Sequence, residues 1–166
     1  MKTSLRRALT LIILTVYSTS SFGSTTAPFA LTLEAEENPV NVGSEVKVDI
    51  TLQNSSNRAI HVHLSLAEVE YTFEVRDGQN RIPPETEYAR KAKGRGYFSN
   101  DQIFYLQPGE SLPKDLLVLT RFYDMSRPGK YTVQVSRAVP KELGGGTVKS
   151  NTLTITVVEP TPEPAK

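Results

Sequence analysis

The sequence predicts an all-β protein, an antiparallel sandwich of about seven to eight strands. Three observations carry that reading. Val46-Lys47-Val48-Asp49-Ile50-Thr51-Leu52-Gln53 alternates apolar and polar residues without a break, the two-residue period of a half-buried strand. Turn formers bracket it, with Asn38-Pro39-Val40-Asn41-Val42-Gly43 before and Asn54-Ser55-Ser56-Asn57-Arg58 after; such residues tolerate or stabilise tight turns. A second alternating run, Ile60-His61-Val62-His63-Leu64-Ser65-Leu66, follows at once.

Ahead of these strands lies an export signal. Lys2, Arg6 and Arg7 form a positive start, Ala8 to Val16 an apolar core, and small residues lead to Ser21-Phe22-Gly23, the order of a cleavable leader. Residues 1–23 are expected to be removed, with Ala27 as a second candidate cleavage point; the alternative is an N-terminal anchor helix that is never cut. The apolar run is shorter than the ~18–20 residues of a membrane span. With no Cys in the chain, a lipid anchor on an N-terminal cysteine is not expected, nor are the disulfides common in small exported domains. The mature protein is expected to be soluble, periplasmic or secreted, with no transmembrane segment. Its 16 basic and 18 acidic residues leave a charge near −2, which gives no electrostatic case for a nucleic-acid partner.

A single domain over residues 28–158 accounts for the remaining elements. Phe29-Ala30-Leu31-Thr32-Leu33-Glu34 reads as a first strand, and Tyr71 to Arg76 as another that ends at the turn pair Asp77-Gly78. Pro83-Pro84 closes that unit, since proline cannot donate to a central ladder. Residues 85–99 carry helix formers and then glycines, so a long excursion with one short helical turn is expected there. Strand character returns at Gln102–Leu106, Leu116–Phe122, Lys130–Ser136 and Thr147–Val158, and Gly144-Gly145-Gly146 is expected to be a hairpin loop. The tail 159–166, rich in Pro, Thr and Glu, is expected to be extended and disordered.

Gly43-Ser44-Glu45-Val46-Lys47-Val48, Leu106-Gln107-Pro108-Gly109-Glu110-Ser111 and Pro128-Gly129-Lys130-Tyr131-Thr132-Val133 together resemble bacterial immunoglobulin-like β-sandwich modules of the adhesion and proteinase-inhibitor types. They also resemble the β-rich prodomain-like segments of some secreted metallopeptidases. The resemblance spans roughly residues 29–158 and implies an immunoglobulin-like antiparallel sandwich. Its motifs are turn and strand punctuation, so it implies a fold rather than an activity. It also places Tyr131 at a corner, with its hydroxyl bonding the preceding backbone.

No catalytic constellation is legible, and the protein is expected not to be an enzyme and to need no cofactor. The chain has no Gly-x-Ser-x-Gly elbow and no His-Glu-x-x-His. Asp124 and Arg127 are expected to pair or to cap their turn. His61 and His63 share one strand face and could hold two positions of a Zn or Cu ion. A third His or Cys is missing, so this is an alternative reading of a periplasmic metal-binding protein, with Glu68 or Glu70 as further donors. Asn54-Ser55-Ser56 matches a glycosylation sequon, relevant only in a eukaryotic secretory route.

The dense basic cluster Arg90, Lys91, Lys93 and Arg95, flanked by Tyr88, Tyr97 and Phe98, is the main candidate site. Charge beside aromatic rings in a long loop is a composition suited to recognition. The expected function is an exported, non-catalytic binding or accessory module, contacting a protein or glycan of the envelope through residues 85–100. Inhibition of a secreted proteinase is a second alternative.

Overall fold

A computed structural model describes residues 27–92 and 102–160. It is all-β in character and mainly antiparallel. The strands are β1 (Phe29–Ala35), β2 (Val40–Asn41), β3 (Lys47–Asn54), β4 (Ile60–Leu64), β5 (Thr72–Arg76), β6 (Gln102–Leu106), β7 (Asp115–Val118), β8 (Gly129–Ala138), β9 (Thr147–Lys149) and β10 (Leu153–Val158). Two short helices, α1 (Ala67–Glu70) and α2 (Glu87–Ala92), interrupt them.

The alternation legible in the sequence sets which side chains enter the core. In β1, Phe29, Leu31 and Leu33 are buried, and in β3 Val48, Ile50 and Leu52. The two strands run antiparallel with Leu31 opposite Leu52 and Leu33 opposite Ile50. A one-residue slip would turn both apolar rows to solvent, so burial locks this register. β7 completes the first sheet along β3. A second sheet runs β2-β10-β8-β5, with β9 also on β8, and β4 and β6 form a separate two-stranded ribbon. Ile50, Leu52, Leu117, Val75, Val133 and Ile155, from both larger sheets, are almost wholly buried in one core.

Ten strands stand where seven to eight were expected, for two reasons of tertiary origin. The stretch 38–43, expected as a turn, contains β2, which pairs in parallel with β10. The Asn38 side chain holds it there, donating to the Thr154 carbonyl at 2.8 Å and accepting the Thr156 N–H at 2.9 Å. The expected last strand, 147–158, is split at residues 150–152. There Asn151 reaches back to β1 and bonds both the N–H and the carbonyl of Leu33, while the Ser150 hydroxyl accepts the Val135 N–H.

Two other expected strands end earlier than their expected bounds. The 60–66 run ends at Leu64, because the Val69 and Glu70 N–H groups turn back to the Leu66 carbonyl and start α1. The 116–122 run leaves the strand after Val118 and forms a 3-10 turn over Leu119–Arg121, with the Phe122 and Tyr123 N–H groups both on the Leu119 carbonyl. The short helix in the 85–99 excursion is present as α2, and Gly144 to Gly146, all at positive φ, join β8 to β9 as a hairpin. Among the described residues no helix is long and apolar enough to cross a membrane.

Candidate functional site

α2 is short, yet it is tied down firmly at its start. Thr86 caps it: its hydroxyl accepts the Ala89 N–H at 3.1 Å and donates to the Arg121 carbonyl. Such a cap satisfies a helix N–H that otherwise has no partner. The Thr86 N–H donates to the Phe122 carbonyl at 3.0 Å, and Glu85 bridges Tyr123 through the backbone. The helix is therefore fastened to the segment after β7. Its Ala89 and Ala92 turn inward and line a cleft, whereas Tyr88, Arg90 and Lys91 are exposed. Tyr88 rests edge-on against Phe122, with centroids 5.6 Å apart. Lys91 pairs along the helix with Glu87 at 2.6 Å.

Of the sequence-predicted contact residues, the structure thus brings Tyr88, Arg90 and Lys91 onto one exposed helix. Lys93, Arg95, Tyr97 and Phe98 lie outside the described residues.

The cleft beneath α2 has a volume of about 330 Å³. Phe73 of β5 forms its aromatic centre with Phe122 and Tyr123, at centroid distances of 4.9 and 6.1 Å and interplanar angles of 64° and 88°. Tyr71, and Glu68 from α1, complete one side. The sequence reading passed over these rings. The visible signal was the pair Phe122-Tyr123, adjacent aromatics that break a strand's alternation.

Behind Tyr71 and Glu68 lies a charged group that local sequence did not disclose. Arg137 of β8 is 7% exposed and pairs with Glu70 of α1 at 2.5 Å. The same guanidinium nitrogen donates to the His63 carbonyl, and its carbon sits 5.3 Å from the Tyr71 ring centroid. Asp115, at the start of β7, is half-buried; its Oδ2 is buried with no hydrogen-bond partner. Burial first, and then the charge of Glu68, push the Asp115 carboxyl up to about 6, against the pull of Arg137. Burial likewise raises the Tyr71 hydroxyl above its ordinary value.

His61 and His63 stand together on the exposed face of β4, as their spacing predicted. Their neighbours are rings and aliphatics rather than ligands: His61 is opposite Tyr105, with centroids 4.3 Å apart, and His63 is opposite Ile103. Among the described residues no three His, Cys, Asp or Glu side chains gather to hold a metal, and a zinc site needs three or four protein donors. Asp124 caps its corner by accepting the Ser126 N–H at 3.0 Å, and hydrogen bonding from the Ser126 side chain first, then its backbone, holds the carboxyl low. The sequon reading also changes, because Asn54 is 1% exposed. Its amide nitrogen donates to the Arg58 and Leu106 carbonyls, and its oxygen accepts from Ser56. An amide engaged in this way is a structural pin, closed to a glycan in the folded protein.

No family model matches the chain, and no curated protein matches it. Among solved structures, a β-glucosidase from Erythrobacter marinus aligns over 78% of this chain at 15% identity, with a TM-score of 0.40. The chain spans 15% of that enzyme's length, and the likeness carries no argument about activity.

Proposed function

We propose that this chain is an exported, non-catalytic binding or accessory module of immunoglobulin-like build, periplasmic or extracellular, that meets its partner through the outward face of α2. The observation that carries this reading is the mounting of α2. A six-residue helix, too short to persist alone, is capped and bolted to the segment after β7, and displays Tyr88 at 46% exposure beside Arg90 and Lys91. An exposed ring and two exposed cations on one short, anchored helix are the composition that recognition surfaces favour.

Topology supports the immunoglobulin-like part. One sheet orders β1-β3-β7, the other β2-β10-β8-β5, and the chain passes from β1 in the first to β2, parallel to β10, in the second. At the start of β8 the Tyr131 hydroxyl donates to the Arg127 carbonyl at 2.9 Å, the corner that accompanies such sandwiches. Export is supported by the basic start and apolar core of residues 1–23.

The test is capture of envelope and extracellular material on the mature protein, run beside a Tyr88→Ser, Arg90→Ser, Lys91→Ser variant. A protein or glycan held by the native chain and released by the variant supports the α2 surface. Equal capture by both would move the contact to the sheet faces.

A further inference from the structure

We propose that the cleft on the inner side of α2 binds a small organic cation through an alkylammonium head. This goes beyond the outward contact surface of α2 and uses different residues.

Two independent features converge on that chemistry. The first is aromatic. Phe73, Phe122 and Tyr123 all line the cleft, with Phe73 packed edge-to-face on the other two at 64° and 88°. Aromatic π faces attract cations, and quaternary ammonium groups are the ligands best suited to such walls. The second is the presence of carboxylates in the cleft wall, Glu68 and Glu85. Glu68 lines the cleft and forms no ion pair among the described residues. Asp115 stands behind it with its buried Oδ2 unpartnered. Arg137, the cation facing this group, is already held by Glu70. On α2 it is Ala89 and Ala92 that face inward, while Lys91 is paired outside with Glu87. A bound cation would therefore meet aromatic rings and the Glu68 carboxylate. At about 330 Å³ the volume suits one small molecule, near the lower end of the ~300–1,000 Å³ typical of ligand pockets.

The experiment titrates the mature protein with choline and, separately, with 3,3-dimethylbutan-1-ol, its neutral carbon isostere. Binding is followed by NMR of the Phe73, Phe122 and Tyr123 ring protons. Choline is expected to shift these resonances saturably and to bind about tenfold more tightly than the isostere, the ratio expected for a cation–π contact with partial desolvation. Glu68→Gln is expected to weaken choline about threefold, as loss of one partly screened charge would, and to leave the isostere unchanged. Equal affinity for the two probes, or choline at millimolar concentration leaving the ring resonances in place, would overturn the proposal. Partner capture on the outer face of α2 is a separate readout, so either idea can fail alone.

Discussion

Arg137 and Glu70 form a buried ion pair that joins β8 to α1: guanidinium and carboxylate meet at 2.5 Å, with the two side chains 7% and 17% exposed. The pair is 67 residues apart in sequence, and the His63 carbonyl shares its guanidinium. Removing one partner of a buried pair leaves a desolvated charge, which costs more than the pair itself contributes. Glu70→Ala is therefore expected to destabilise the protein by about 3–5 kcal/mol. Urea unfolding checks this, and a Glu70→Leu, Arg137→Met double variant should recover most of the loss.

Asp115 gives the fold a pH dependence of opposite sign to most carboxylates. Its folded carboxyl is pushed up to about 6, above the ~3.9 of an unfolded aspartate. The folded state thus takes up the proton first, so stability falls as pH rises through about 6 and is restored towards pH 4. The groups facing Asp115 are Glu68 and Glu70, which repel its charge, and Arg137, which attracts it. Asp115→Asn is expected to be more stable than the native chain at pH 7–8 by about 1–2 kcal/mol, allowing for solvent screening on its open side. The two should converge near pH 4. A thermal-melt series across that range decides it, and parallel curves for the two proteins would contradict the assignment.

Asn54 makes a comparable claim on stability without any charge. Truncation to Ala strands the buried Leu106 carbonyl that its amide serves and loses the bonds to Arg58 and Ser56. A loss of about 2–3 kcal/mol is expected, measurable by chemical denaturation. A neutral Asn54→Ala would mean that water replaces these bonds.

At the β8 corner a single hydroxyl is at stake. Tyr131→Phe keeps the buried ring and removes only the bond to the Arg127 carbonyl, so about 1 kcal/mol should be lost. Secondary structure by circular dichroism should be unchanged.

How much of this was legible depended on the range of the interaction. The strands at Phe29–Ala35, Lys47–Asn54 and Gln102–Leu106 were readable because alternation and turn chemistry act over a few residues. The helix within the 85–99 excursion was readable from its composition. The parallel strand at Val40–Asn41 was not, because it exists only through Asn38 bonds to Thr154 and Thr156, 116 and 118 residues away. Arg137 alternates correctly within β8 but points into the core, an orientation that depends on a carboxylate on a distant helix.

By itself, then, the sequence determined the all-β class, the apolar faces of the longer strands, the corner at Tyr131 and the exposure of Tyr88, Arg90 and Lys91. The strand faces follow from a two-residue period, the exposed residues of 85–92 from a composition of helix formers and charge, and the corner from the Pro128-Gly129-Lys130-Tyr131 turn pattern. Tertiary structure decided which strands pair, where the expected strands 116–122 and 147–158 break, and that Phe73, Phe122, Tyr123 and Glu68 line one cleft. Those outcomes rest on hydrogen bonds, charges and ring contacts between residues remote in the chain, whose partners no local pattern names.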